Sequence, residues 1–443
     1  MQLNASDFYS LYRPSKCGGR VYLRHKETEE SPAGPYEEVL HRLGEKHESS
    51  HLKTFPVFVD LGSGSPEERE RKTREEIGNK VPVLYHALLR TIATIKGTKC
   101  EVIGEPDFII REKDGYVIRD SKISRRITEK DHPEILRQLE LYGWLFEQML
   151  GKRPQGLQVH SGTGEIVPLL FNGGATALHV LSDILTLKRA SSEPYSPVGW
   201  TKCGGCPFNY LCWPRAESRQ DVALVAGVDQ GLANALKRAG IKTIQKFLQS
   251  FDEKKLANFE RPWGIGTRRV GKKAGTILRM ARCQHSGKEM VLQAPDVPDS
   301  HHYAMFDLEG LPPHLDELEK MYLWGLQVFG EEKEGDYMPA LAEFGDEGDH
   351  EGWKRFIDNA EVIFNEFGDI PFVHWHHYER VRLDIYIERY GDRAGIAARV
   401  KQNLLDLLPV CQSSIALPLP SYSLKVVEKY IGFQRSQDEY GGE

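Results

Sequence analysis

Two apolar stretches, Gly104 to Arg111 and Tyr116 to Lys122, are bounded by turn-forming residues and predict neighbouring β-strands. Lys113-Asp114-Gly115 between them has the chemistry of a tight hairpin turn. A two-residue loop centred on Lys113-Asp114 sets Asp107 opposite Asp120, and one centred on Asp114-Gly115 sets Asp107 opposite Lys122. Strand side chains alternate between faces, so either register puts Asp107, Asp120 and Lys122 on one face.

Farther along, the period lengthens. Ile135, Leu139, Tyr142, Phe146 and Met149 recur at helical intervals, which predicts a helix from Pro133 to Leu150. Asp131 with Glu134 three residues on, and Pro133 in the first turn, form its start signal. Gln138 and Tyr142 are four apart and share one face. Between 217 and 285, Leu232, Leu236, Ile244 and Phe247 predict two short helices joined at Ala239-Gly240-Ile241, and Gly264-Ile265-Gly266 reads as a second such turn. Gln293 to Ser300 is proline-rich and polar, as a linker is. Beyond it, Tyr303 to Phe306 and Leu323 to Val328 predict strands, Trp353 to Ala360 a helix, and Phe372 to His376 a short strand. The first of these runs into Asp307-Leu308-Glu309, whose two acids fall on one strand face.

Composition narrows the partners. The chain of 443 residues fits about three domains at roughly 150 each. Its net charge of -6 leaves any nucleic-acid binding to local patches. One patch stands out: Arg261, Arg268, Arg269, Lys272, Lys273, Arg279 and Arg282 occur between 261 and 282 without a single acid. The seven cysteines form no secreted disulfide framework, which favours a reducing cytoplasm. No signal peptide or membrane-spanning run is read, and no Gly-x-x-x-x-Gly-Lys-Ser/Thr phosphate loop occurs, so any unwinding must come from elsewhere, with a helicase as the candidate partner.

Two carboxylates and a lysine on one face suit a hard divalent ion and phosphodiester hydrolysis. The literal Pro106-Asp107 and Asp120-Ser121-Lys122 resemble the PD-(D/E)xK nucleases. Gly44-Glu45-Lys46-His47-Glu48 is similar to the early Gly-x-x-His-Glu element of their RecB-like branch, as Gln138-x-x-x-Tyr142 is to its later Gln and Tyr. The resemblance implies Asp107, Asp120, Lys122, Gln138 and Tyr142 as the catalytic set, with His47, Asp107 and Asp120 holding Mg²⁺ or Mn²⁺. Cys203-x2-Cys206-x5-Cys212 with the distant Cys17 can take Zn²⁺ or an iron-sulfur cluster. One remote cysteine and a later trio resemble the [4Fe-4S] staple of AddB and of the CRISPR-associated RecB-like exonucleases, which implies a cluster rather than zinc. Those relatives thread one strand past the stapled domain. Single-stranded DNA is therefore the expected substrate, with RNA as the alternative.

The middle region resembles helix-hairpin-helix modules, which implies phosphate contacts by Arg268, Arg269, Lys272 and Lys273. Asp307 and Glu309 look like the first metal motif of RNase H-like DEDD exonucleases. In that resemblance Glu379 and Asp406 take the next acidic positions, and Pro420 to Lys425 with Tyr430 to Phe433 resembles a late "SLK…LG" segment. Relatives go on to a helix bearing a last metal aspartate, whereas this sequence stops at Gly441-Gly442-Glu443, so the resemblance implies an incomplete second site or one that uses Asp438. The expected architecture is α/β. It comprises a PD-(D/E)xK restriction-endonuclease-like core with an iron-sulfur staple over 1–216, a small helical basic region over 217–285, a linker over 286–300 and an RNase H-like α/β domain over 301–443.

Overall fold

Strand formation follows the apolar runs, and a computed structural model describes residues 1–113, 115–264, 266–310, 320–330, 335–343 and 345–435. It divides into two units, one of residues 1–197 with 202–214 and the other of 198–201 with 215–443.

In the first unit the strands are β1 (Gln2–Asn4), β2 (Val59–Asp60), β3 (Val83–Tyr85), β4 (Leu89–Ile95), β5 (Thr98–Gly104), β6 (Phe108–Glu112), β7 (Gly115–Ser121), β8 (Gly156–His160) and β9 (Ile166–Leu169). Six form a sheet in the order β2-β3-β6-β7-β8-β9, and β1-β5-β4 form a smaller one. Phe108 pairs with Arg119 and Glu112 with Gly115, so the loop is the two-residue one at Lys113-Asp114. Lys113 takes the left-handed φ of 51° that such a turn requires. Continuing that register one step sets Asp107, just outside β6, opposite Asp120. Gly104 closes β5, and Glu105 to Asp107 bridge it to β6.

The helix Pro133–Leu150 spans the expected range and ends on Gly151 in the left-handed conformation that a side chain resists. Its start differs from the expectation. His132 occupies the cap position without a side-chain cap, the Thr128 hydroxyl donates to Asp131, and Arg13 bonds Glu134. Leu139, Leu141, Tyr142 and Leu145 pack with Ile118 of β7 and with Leu157 and Val159 of β8 in the core. Tyr142 can come this close because Gly104 has no side chain, since a Cβ there would stand 2.5 Å from its ring.

In the second unit, Gln230–Arg238 and Ile244–Ser250 form the expected helix pair, turned at Gly240 with φ 77°. The region is not wholly helical. β10 (Glu260–Trp263) and β11 (Gly266–Arg269) form an antiparallel hairpin, so Gly264 begins a β-turn and not a turn between helices. The segment expected as linker contains β12 (Met290–Val291), part of a small pair with a strand near the chain's end. β13 (His302–Gly310), β14 (Met321–Gly330), β15 (Met338–Leu341), β16 (Phe372–His374) and β17 (Leu404–Asp406) form a sheet ordered β15-β14-β13-β16-β17, and β18 (Ile415–Ala416) partners β12. β13 is antiparallel to β14 and parallel to β16. The helix Gly345–Phe367 contains the expected 353–360 segment. Its Trp353 and Phe356 bury against Phe306 and Trp324. Among the described residues no helix is long and apolar enough to cross a membrane.

Candidate active site

β7 is buried along nearly its whole length and delivers Asp120 into the sheet with a fully buried side chain. An ionised carboxylate there requires donors, and it has them. Asp107 N–H donates to Asp120 Oδ1 at 3.1 Å, and Gln138 Nε2 donates to Oδ2 at 3.1 Å. Lys122 Nζ stands 3.0 Å from that same Oδ2 and 3.9 Å from Asp107 Oδ2. Ser121 N–H donates to Asp107 Oδ2 at 2.7 Å, which leaves Asp107 Oδ1 without a hydrogen bond among the described residues. Gln138 also donates to the Tyr142 hydroxyl at 2.7 Å, so helix and sheet meet at Asp120. The structure thus brings Asp107, Asp120, Lys122, Gln138 and Tyr142 together.

The electrostatics follow from two acids sharing a dry site with one ammonium. Burial first, and then the charge of Asp120, push the Asp107 carboxyl far above the ordinary range, against the pull of Lys122. Burial works against the Lys122 charge, yet Asp120 and Asp107 hold it above its usual value, so it is a cation at neutral pH. Burial and the two carboxylates raise Tyr142 as well, and its phenol stays neutral.

His47 sits beside the end of β7, at the His160 carbonyl that also accepts the Lys122 N–H at 2.9 Å. Its Nε2 is 3.3 Å from the His160 carbonyl, and its ring stacks on the His160 ring at 4.2 Å, with His51 stacked on His160 at 3.9 Å. Nothing among the described residues joins His47 to either carboxylate. The neighbouring Glu48 is the residue whose charge acts on Asp107 and Lys122. Tyr85 OH donates to Glu48 at 2.6 Å, and His86 lies 3.0 Å away. Burial raises Glu48, but these two hydrogen bonds outweigh it and keep the carboxyl below its ordinary value. The sequence signal for Glu48 is its place beside His47 on an amphipathic helix, which alone does not say which of the two turns inward.

In the second unit, Asp307 and Glu309 lie two apart on β13, and both act on the Tyr337 hydroxyl and on Arg435. Desolvation raises Asp307; the N–H of Leu308 counters it, and the charge of Glu379 adds to it. Glu379 is buried and lies 3.0 Å from His374 Nδ1, while the buried His374 Nε2 has no hydrogen-bond partner among the described residues. Asp406 is occupied differently, because its Oδ1 accepts the N–H groups of His376 at 2.8 Å and Leu408 at 3.0 Å. It caps the helix that follows. Asp438 falls outside the described residues.

Cys17, Cys203, Cys206 and Cys212 all belong to the first unit and are half-buried. Cys206 N–H donates to the Cys203 carbonyl at 3.2 Å. Burial pushes the Cys206 thiol up, and Cys17 is near enough for its charge to push further. Among the described residues no three His, Cys, Asp or Glu side chains form a ready metal-holding group. Arg268, Arg269, Lys272 and Lys273 are all exposed.

Residues 304–443 match the RNase_H_2 family model of the RNase_H superfamily. No curated protein matches the chain. A solved structure described as "Crystal structure of SSO0001" is 16% identical over 40% of this chain and 96% of that chain, with a TM-score of 0.22, a likeness too low to bear on the fold. The carboxy-terminal part of the second unit is therefore RNase H-like. Domains of that kind are generally nucleases, which supports a nuclease-type function and a nucleic-acid substrate.

Proposed function

We propose that the chain is a metal-dependent nuclease that hydrolyses DNA phosphodiesters at Asp107, Asp120 and Lys122, acting on single strands from an end. The observation that carries this reading is the convergence of two carboxylates and one ammonium from the hairpin with the Gln138–Tyr142 pair of the helix Pro133–Leu150. Three carboxylates act in this site, counting Glu48, against a single lysine. That excess of negative charge, and the open Asp107 Oδ1, fit a hard divalent ion such as Mg²⁺ or Mn²⁺. When bound, the ion supplies a more acidic water and charge stabilisation for the phosphate.

The chain's own groups do the remainder. Asp107 and Asp120 would hold the cation, and Gln138 fixes the Asp120 carboxylate through one amide nitrogen. In hydrolysis a water oxygen bonds to phosphorus, the phosphorus–oxygen ester bond breaks, and the departing oxygen takes a proton. Lys122, held charged by its two carboxylates, offsets charge building on the phosphate and does not serve as a base. Labelled single-stranded DNA with Mn²⁺ tests the reading: Lys122→Ala or added EDTA stops digestion, whereas equal digestion by wild type and variant contradicts it.

A second reading places RNase H-like exonuclease or RNA-processing activity at Asp307, Glu309, Glu379 and Asp406. The electrostatic coupling of Asp307 to Glu379 favours it. Loss of RNA cleavage in Asp307→Ala with DNA cleavage intact would select this site. A non-catalytic, nucleic-acid-binding scaffold is the reading left if neither variant matters. For Cys17, Cys203, Cys206 and Cys212 the proposed occupant is a [4Fe-4S] cluster with a structural role, with zinc as the alternative. The nearness of Cys17 to Cys206 supports it. Absorption near ~400 nm in anaerobically purified protein marks the cluster, and colourless protein containing zinc marks the alternative.

A further inference from the structure

The hairpin β10–β11 carries an arrangement that neither catalytic reading uses. Trp263 ends β10 opposite Gly266, and its side chain is 53% exposed. Arg261 stands two residues before it on the same strand face, and Arg268 lies directly across from Arg261. Their guanidinium carbons lie 4.8 Å and 5.1 Å from the Trp263 ring, so two cations lie against one indole.

The two arginines are held differently. Asp229 caps the helix Gln230–Arg238 through Oδ1 and pairs with Arg261 through Oδ2, which fixes that guanidinium. Gly231 lets the helix start press against the hairpin, because a Cβ there would meet the Pro262 carbonyl at 2.6 Å. The base of the hairpin is thus anchored. Every residue of β11 is exposed, and Arg268 has no ion-pair partner among the described residues. A bare two-stranded hairpin buries too little to stabilise itself, so the exposed Trp263, Arg268 and Arg269 are not explained by a core.

We propose that this hairpin is the element that grips a single nucleic-acid strand, with Trp263 stacking on an unpaired base and Arg268, Arg269, Lys272 and Lys273 meeting phosphates. The inference rests on the proposed action on nucleic acid and adds the residue that would favour unpaired strands. The charge fits: seven cations and no acid lie between 261 and 282. An aromatic face accepts any base, whereas phosphate contacts do not distinguish single from double strands. Arg261 serves as the fixed backing of the indole, and Arg268 as its exposed companion.

The test is binding of a labelled 20-mer oligothymidylate in EDTA, read by fluorescence anisotropy, so that hydrolysis plays no part. Trp263→Ala is expected to weaken binding by about 10-fold or more and Trp263→Phe by much less. R268E/R269E is expected to weaken binding and to flatten its salt dependence by about one to two in log–log slope. Trp263 is exposed, so the alanine variant should fold, and an unchanged circular dichroism melt establishes that. Equal affinity of wild type and Trp263→Ala overturns the assignment, as does an equal loss on a blunt duplex. Asp120→Asn separates the two ideas: tight binding without hydrolysis supports the catalytic site whatever the hairpin variants do, and normal binding by Trp263→Ala refutes the hairpin alone.

Discussion

Replacing Lys122 by Met removes the ammonium from between two carboxylates while keeping an unbranched apolar stem of nearly the same length. The Lys122 Nζ lies 3.0 Å from Asp120 Oδ2 and 3.9 Å from Asp107 Oδ2. With an effective dielectric of about 20, the contact with Asp120 is worth about 5.5 kcal/mol of gross attraction, and the one with Asp107 adds about 4.3 kcal/mol once that carboxyl is ionised. Desolvating the ammonium offsets several kcal/mol of that sum. A divalent ion on the same oxygens is repelled by the Lys122 ammonium, and solvent at its partly exposed side chain screens most of that repulsion. A residue of about 1–2 kcal/mol then opposes the ion, equivalent to roughly 5- to 30-fold in affinity. Lys122→Met should therefore bind Mn²⁺ about 5- to 30-fold more tightly than wild type, while DNA hydrolysis falls by about 100-fold or more. Electron paramagnetic resonance of the free ion, titrated into metal-stripped protein, measures the first quantity. Unchanged or weaker Mn²⁺ binding by a folded variant would refute the reasoning, because lysine and ion would then not compete for the same oxygens.

Further expectations concern stability and the second site. The folded-state Asp107 carboxyl is raised to about 8, so in metal-stripped protein the native state keeps a proton that the unfolded chain releases above about pH 4. That stabilisation is complete below about pH 4 and is lost as pH rises towards about 8; Asp107→Asn abolishes the slope and is more stable at pH 8 in EDTA by urea unfolding, and parallel pH profiles would contradict the point. Asp349 is buried and accepts from Tyr386 OH at 2.5 Å, Tyr390 OH at 2.7 Å and Arg389 at 2.9 Å, so Asp349→Ala should cost the RNase H-like domain about 3–5 kcal/mol. Hydrogen exchange in the helix Tyr378–Tyr390 reads that loss, and protection like that of wild type counts against it. Glu48→Gln keeps the hydrogen bond from Tyr85 but removes a charge, and is expected to raise the Mn²⁺ concentration needed for hydrolysis; an unchanged requirement would show that Glu48 has no part in holding the ion.

Local periodicity made the hairpin and the helix Pro133–Leu150 legible, because both depend on neighbours in sequence. The shared face of Asp107, Asp120 and Lys122 follows from strand alternation in either register, and the turn decides whether Asp107 stands opposite Asp120 or Lys122. What sequence left open was decided by packing. His47 and Glu48 are adjacent on one helix, and the stacking of His47 on His160 turns Glu48 towards Tyr85 and His86. Gly264 and Gly266 suit either a helical or a strand turn, and only pairing from Glu260 to Arg269 selects the hairpin. Asp406 also caps the helix start two residues on through Oδ1, a contact that strand alternation does not reveal. His374 gave no signal, since one polar residue in Phe372-Val373-His374 looks like the end of a buried strand.

The most direct test is the single-turnover cleavage rate of 5′-labelled single-stranded DNA with Mn²⁺, for wild type, Asp120→Asn and Asp307→Asn. The account predicts that Asp120→Asn loses cleavage while Asp307→Asn retains it. Cleavage by Asp120→Asn at the wild-type rate would contradict the account.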